Sequence, residues 1–124
     1  MAESRTDRTT LRWPPEMQSA IMARAKMRMR SVSAEVRELL TFARNNIQPD
    51  QLVSVPSYRE QKSTSICLTP RLHHWLHSRA NYNDRSVQVE LVSLLAHALE
   101  LVMERDLALL VQSLDKGRAE PALG

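Results

Sequence analysis

His73, His74 and His77 are the first residues whose type and spacing suggest chemistry, because His73 and His77 stand four apart and would share one face of a helix, as in a two-histidine metal site. No cysteine or carboxylate lies close to them in sequence, so they read as the polar aromatics of a helix surface, and no metal or cofactor is expected. Cys67 is the single cysteine; it cannot close an intramolecular disulfide and reads as a small, semi-apolar side chain. The only glycines are Gly117 and Gly124, so there is no glycine-rich phosphate loop, and no nucleophile–base grouping is visible. The chain is therefore expected not to be an enzyme. What remains is charge. The net +3 conceals an asymmetry: residues 1–46 hold nine Lys/Arg against five Asp/Glu, whereas residues 63–124 hold six against seven. A local positive field of this kind attracts phosphate backbones without regard to base sequence.

The elements that would position such groups must come from a short chain. A length of 124 residues allows one compact domain or two very small ones, and a unit of about 40 residues buries too little to fold without a partner. The 43% hydrophobic and 25% charged content is that of a globular chain rather than a disordered one. No apolar run approaches the roughly 18 residues that span a bilayer. The first eight residues include Glu3, Arg5, Asp7 and Arg8, unlike a signal peptide, so the expected compartment is the cytoplasm, with no membrane partner.

An offset of 55 residues aligns two segments without a gap and gives eleven identities over positions 9–45, among them Pro15/Pro70, Arg24/Arg79, Arg30/Arg85, Ser31/Ser86, Val32/Val87 and Glu35/Glu90. An internal duplication follows. Each copy opens with alternating residues that read as a strand, Leu11 and Trp13 or Ile66 and Leu68 facing inward. The outward residues are then Arg8, Thr10 and Arg12, and Ser63, Ser65 and Cys67. A helix follows, started by Pro14-Pro15 or by Thr69-Pro70, with Met17, Ala20, Ile21, Ala25 or Leu72, Trp75, Leu76, Ala80 as its apolar stripe. A second helix begins after Ser31 or Ser86, both suited to capping.

The expected organisation is a first unit over 1–46 (strand about 8–13, helices about 15–29 and 32–45), a linker over 47–62, a second unit over 63–115 with an extended helix, and a tail over 116–124 after Gly117 and Pro121 stop that helix. Trp13 and Trp75 read as core anchors, and Met17, Met22, Met27, Met29 and Met103 as adaptable core filling. The run 99–114 either caps the core or joins two chains into a homodimer or higher oligomer.

With Leu-Arg-Trp-Pro closing the first strand and Arg-Ser-Val-x-x-Glu opening the helix after it, the chain resembles the Arc branch of the ribbon-helix-helix family; the second copy keeps Arg85-Ser86-Val87 and Glu90 but lacks the Leu-Arg-Trp signature. The resemblance implies a mostly α fold with a short β-ribbon, here a tandem ribbon-helix-helix forming an intramolecular pseudo-dimer. It also implies that the ribbon enters the major groove of double-stranded DNA. Base edges would be touched by Arg8, Thr10 and Arg12 and by Ser63, Ser65 and Cys67. Arginine suits guanine O6 and N7, so the second strand is the poorer reader. Phosphates would be gripped at the helix starts, Ser31, Val32 and Ser33 and Ser86, Val87 and Gln88.

In that branch a buried Arg–Glu–Arg triad ties the core; Arg30–Glu35 and Arg85–Glu90 keep two members, expected as buried pairs, while Leu39 and Leu94 occupy the third place. Arg24 and Arg79 stand where the family has an apolar residue, and sequence does not place their charges. The expected function is a sequence-specific transcriptional repressor or autoregulator. The alternatives are a relaxosome DNA-binding accessory protein of conjugation, which shares the tandem architecture, and an antitoxin-like protein-interaction module.

Overall fold

A computed structural model describes the backbone of residues 7–122 and the side chains of 8–116. The fold is mostly helical with one small antiparallel sheet. The order is β1 (Asp7–Trp13), α1 (Pro15–Met27), α2 (Val32–Asn46), β2 (Lys62–Leu68), α3 (Pro70–Tyr82) and α4 (Val87–Ala122). β2 and α3 begin and end 55 residues after β1 and α1, and α4 begins 55 residues after α2.

The starts of the helices follow their capping residues. Ser31 Oγ accepts from Ala34 N at 3.0 Å, Ser86 Oγ from Val89 N at 3.1 Å and Thr69 Oγ1 from Leu72 N at 3.3 Å, while Pro15 and Pro70 occupy first-turn positions that need no donor. α1 was expected to reach residue 29 but stops at Met27, because Met29 turns left-handed at φ 55° and lets Arg30 N bond Ala25 O at 2.9 Å. Asp84 does the same after α3 at φ 52°, with Arg85 N on Ala80 O at 2.9 Å.

β1 and β2 form the whole sheet among the described residues, and their inner row, Leu11, Trp13, Ile66 and Leu68, is fully buried. One core surrounds that row: Met17 and Ile21 from α1, Val36, Leu39 and Leu40 from α2, Leu72 and Leu76 from α3, and Leu91 through Val102 from α4. β1 packs beside α4 and β2 beside α2, and α2 packs along α4, so the two halves of the chain share their core.

Several expectations are corrected. The segment 47–61 connects the halves without helix or strand, as expected of a linker, but it is packed, with Ile47 and Val53 buried and Tyr58 on the core, and Lys62 already belongs to β2. Of the methionines expected inside, only Met17 is buried; Met22, Met27, Met29 and Met103 are exposed, because they fall on the outer faces of α1, its exit turn and α4. Trp75 is half-buried, its ring lying 5.8 Å from the Arg79 guanidinium carbon. α4 continues through Gly117 and Pro121 to Ala122. Glycine ends a helix only by turning left-handed, and a proline one residue from the end withholds a single donor. Among the described residues no single helix is long and apolar enough to cross a membrane; α3 and the part of α4 up to Lys116 reach that mark only together, across a 105° bend.

Candidate nucleic-acid interface

The pleat that buries Leu11, Trp13, Ile66 and Leu68 turns the alternate residues of both strands to the opposite face. The register sets Arg8 against Cys67, Thr10 against Ser65 and Arg12 against Ser63. All six predicted ribbon residues therefore lie on one face; five are exposed and Cys67 is half-buried. Arg8 Nη1 donates to Ser65 Oγ at 3.1 Å, so this guanidinium is laid across to the other strand. Pairing β1 with a second β1 in the same register would instead set Arg8 against Arg12, and like charges directly opposite are destabilising. Within one chain each arginine meets a neutral residue.

Both edges of the ribbon are held by helix starts from the other half of the chain. Arg12 N donates to Gln88 Oε1 at 3.1 Å, and Gln88 Nε2 donates to Arg12 O. At the opposite edge Cys67 N donates to Ser33 Oγ at 2.9 Å and Arg37 Nη1 donates to Cys67 O at 2.8 Å. An outer residue of an antiparallel pair has an N–H and a C=O that no strand can satisfy, and these side chains satisfy them. Sequence placed Ser33 and Gln88 at the right location but with only a backbone role, and it did not find Arg37. The first amides of α2 and α4, at Val32, Ser33, Val87 and Gln88, precede the first amides bonded inside the helix, those of Glu35 and Glu90. Each helix thus brings donors and a positive dipole end beside the ribbon.

The supports beneath are two buried carboxylates. Glu90, fully buried, accepts from Arg79 Nε at 3.0 Å, from Asn83 at 3.1 Å and from Arg85 at 3.5 Å. Glu35, also fully buried, accepts from Arg24 Nε at 3.3 Å and lies 3.6 Å from Arg28 Nη1 and 3.7 Å from Arg30 Nε. Of the expected partners, Arg85 bonds Glu90, whereas Arg30 is 31% exposed, makes no hydrogen bond to Glu35 and donates to Glu38 at 2.8 Å; the closest arginine in each cluster comes from the preceding helix. Arg24 and Arg79, each eleven residues before its glutamate, supply an arginine to each cluster where Leu39 and Leu94 supply none. Their identity at the 55-residue offset was the available signal. Arg79 also donates to the carbonyls of Gln48, Pro49 and Gln51, which fastens the 47–62 segment.

His73 Nε2 and His77 Nε2 face each other at 3.1 Å, and His77 titrates below its ordinary range because of partial burial and then the neighbouring charges of His73 and His74. No group of three metal-binding side chains occurs among the described residues. No family model, curated protein or solved structure matches this chain.

Proposed function

We propose that this chain is a tandem ribbon-helix-helix protein that reads double-stranded DNA through the outer face of the β1–β2 ribbon and acts as a transcriptional repressor or autoregulator. The observation that carries this reading is the meeting of five exposed polar side chains, two of them arginines, and Cys67 on one face of a two-stranded ribbon flanked by the starts of α2 and α4. A two-stranded ribbon fits the major groove, where arginine forms a bidentate pair with guanine and threonine or serine bonds either base type. The helix starts beside the ribbon support this reading, since their free amides could bond the phosphates that border a groove. The 55-residue repetition of element bounds supports two strand–helix–helix units closing on each other as a pseudo-dimer.

The two strands differ, so the preferred site is not palindromic: β1 supplies the guanine-reading arginines and β2 the less selective serines. The test is selection from random duplexes followed by anisotropy titration at two salt concentrations. The expected result is an asymmetric consensus whose discrimination falls by about 1–3 kcal/mol per lost bidentate contact in Arg8→Ala or Arg12→Ala. Equal binding to every duplex by wild type and variants would overturn the reading.

A further inference from the structure

Beyond Val102 the long helix leaves the core, and every side chain from Met103 to Lys116 is exposed. Met103, Leu107, Leu110 and Leu114 follow each other at steps of four, three and four, so they form one stripe, with Val111 at its margin. We propose that this stripe is the interface between two copies of the chain, packed α4 against α4.

Three observations favour a second copy. A helical segment without tertiary contacts is marginal in water. After Arg24 Nη1 meets Asp106 Oδ2 at 3.2 Å and the Arg105 guanidinium carbon sits 5.6 Å from the Phe42 ring, no hydrogen bond, ion pair or ring contact joins α4 to the body among the described residues, and its side chains are exposed. The 4-3-4 spacing is the seam that one helix offers to another of its kind, rather than the broad stripe that packs onto a globular core. The stripe residues are 48–61% exposed. If fully covered, these side chains would bury about 500 Å² per chain and about 1,000 Å² for a symmetric pair, close to the minimum that a biological association needs. Charge does not oppose it: positions 103–116 carry Arg105 and Lys116 against Glu104, Asp106 and Asp115, and Asp106 is already bonded to Arg24.

This inference does not depend on DNA reading, and its test is the mass of the full chain in sedimentation equilibrium at micromolar protein. Wild type is expected at the mass of two chains. Leu107→Glu/Leu110→Glu is expected to weaken association by at least about 100-fold and to run as one chain, with a small loss of helical far-ultraviolet signal from the exposed end of α4 and an unchanged thermal transition of the body. Leu109→Glu is the control, since Leu109 lies about 120° from the stripe axis, and it should keep the two-chain mass. For orientation-independent confirmation, Leu107→Cys on a Cys67→Ser background should form a cross-linked pair with a short bis-maleimide. A one-chain mass for wild type, a two-chain mass for the double variant, or growth into open-ended assemblies would each overturn the proposal.

Discussion

Arg79 donates through Nε to Glu90 Oε2 at 3.0 Å, and the same guanidinium reaches the carbonyl of Gln51 at 2.7 Å, so one buried arginine joins α3, α4 and the segment between the halves. Its counterpart, Arg24, holds Glu35 at 3.3 Å but turns its other arm outward to Asp106. Removing one member of a buried pair leaves an uncompensated charge and costs about 3–5 kcal/mol. Glu90→Ala or Arg79→Ala is expected to lose that much in urea unfolding. Arg24→Ala should lose less, because its side chain is 19% exposed against 6% for Arg79.

Met29 holds φ 55° while 94% exposed, so its side chain contributes almost nothing to set against the left-handed backbone. Met29→Gly is expected to raise stability by about 0.5–1 kcal/mol. Asp84→Gly should gain less, since aspartate tolerates that region better. Thermal unfolding of the two variants checks the order.

Arg8 and Ser65 act as a unit if the 3.1 Å bond orients the guanidinium for its base. Ser65→Ala should then weaken discrimination at the same base pair as Arg8→Ala, and the double variant should lose no more than Arg8→Ala alone. Additive losses in a binding cycle would show that Ser65 reads a base by itself.

The ribbon edges offer a test free of DNA. Gln88→Ala removes both partners of the Arg12 main chain, and Ser33→Ala removes the acceptor of Cys67 N. Each is expected to cost about 1 kcal/mol and to speed exchange of that single amide by about tenfold, read by hydrogen-exchange NMR.

His77 should titrate below the ordinary 6.5, and relieving the His73 charge by His73→Gln should move it part of the way back, as followed by imidazole NMR shifts. A depressed folded value means that the unfolded chain binds the proton first. The associated stability is therefore present above 6.5 and is lost as the pH falls through the folded value.

Much of this was legible in residue order. Alternation showed that Leu11, Trp13, Ile66 and Leu68 point inward, and Ser31 and Ser86 marked the helix starts. The six outer ribbon residues were named correctly as a set, because a pleat with a period of two leaves no other face for them. What escaped were contacts between distant positions. Arg37 on the Cys67 carbonyl and Gln88 on Arg12 join residues 30 and 76 apart, and no local pattern announces such a pairing. The methionines misled for the opposite reason: type suggested burial, and position on the helix decided against it.

β1 is paired with β2 of the same chain and not with a second β1. In a ribbon assembled from two identical strands every substitution is made twice, so a change that improves one side of the site is imposed on the other. Here Arg12 faces Ser63, and altering either leaves the opposite strand untouched. The two strands of the ribbon can thus differ at every position, as Arg-Thr-Arg beside Ser-Ser-Cys does.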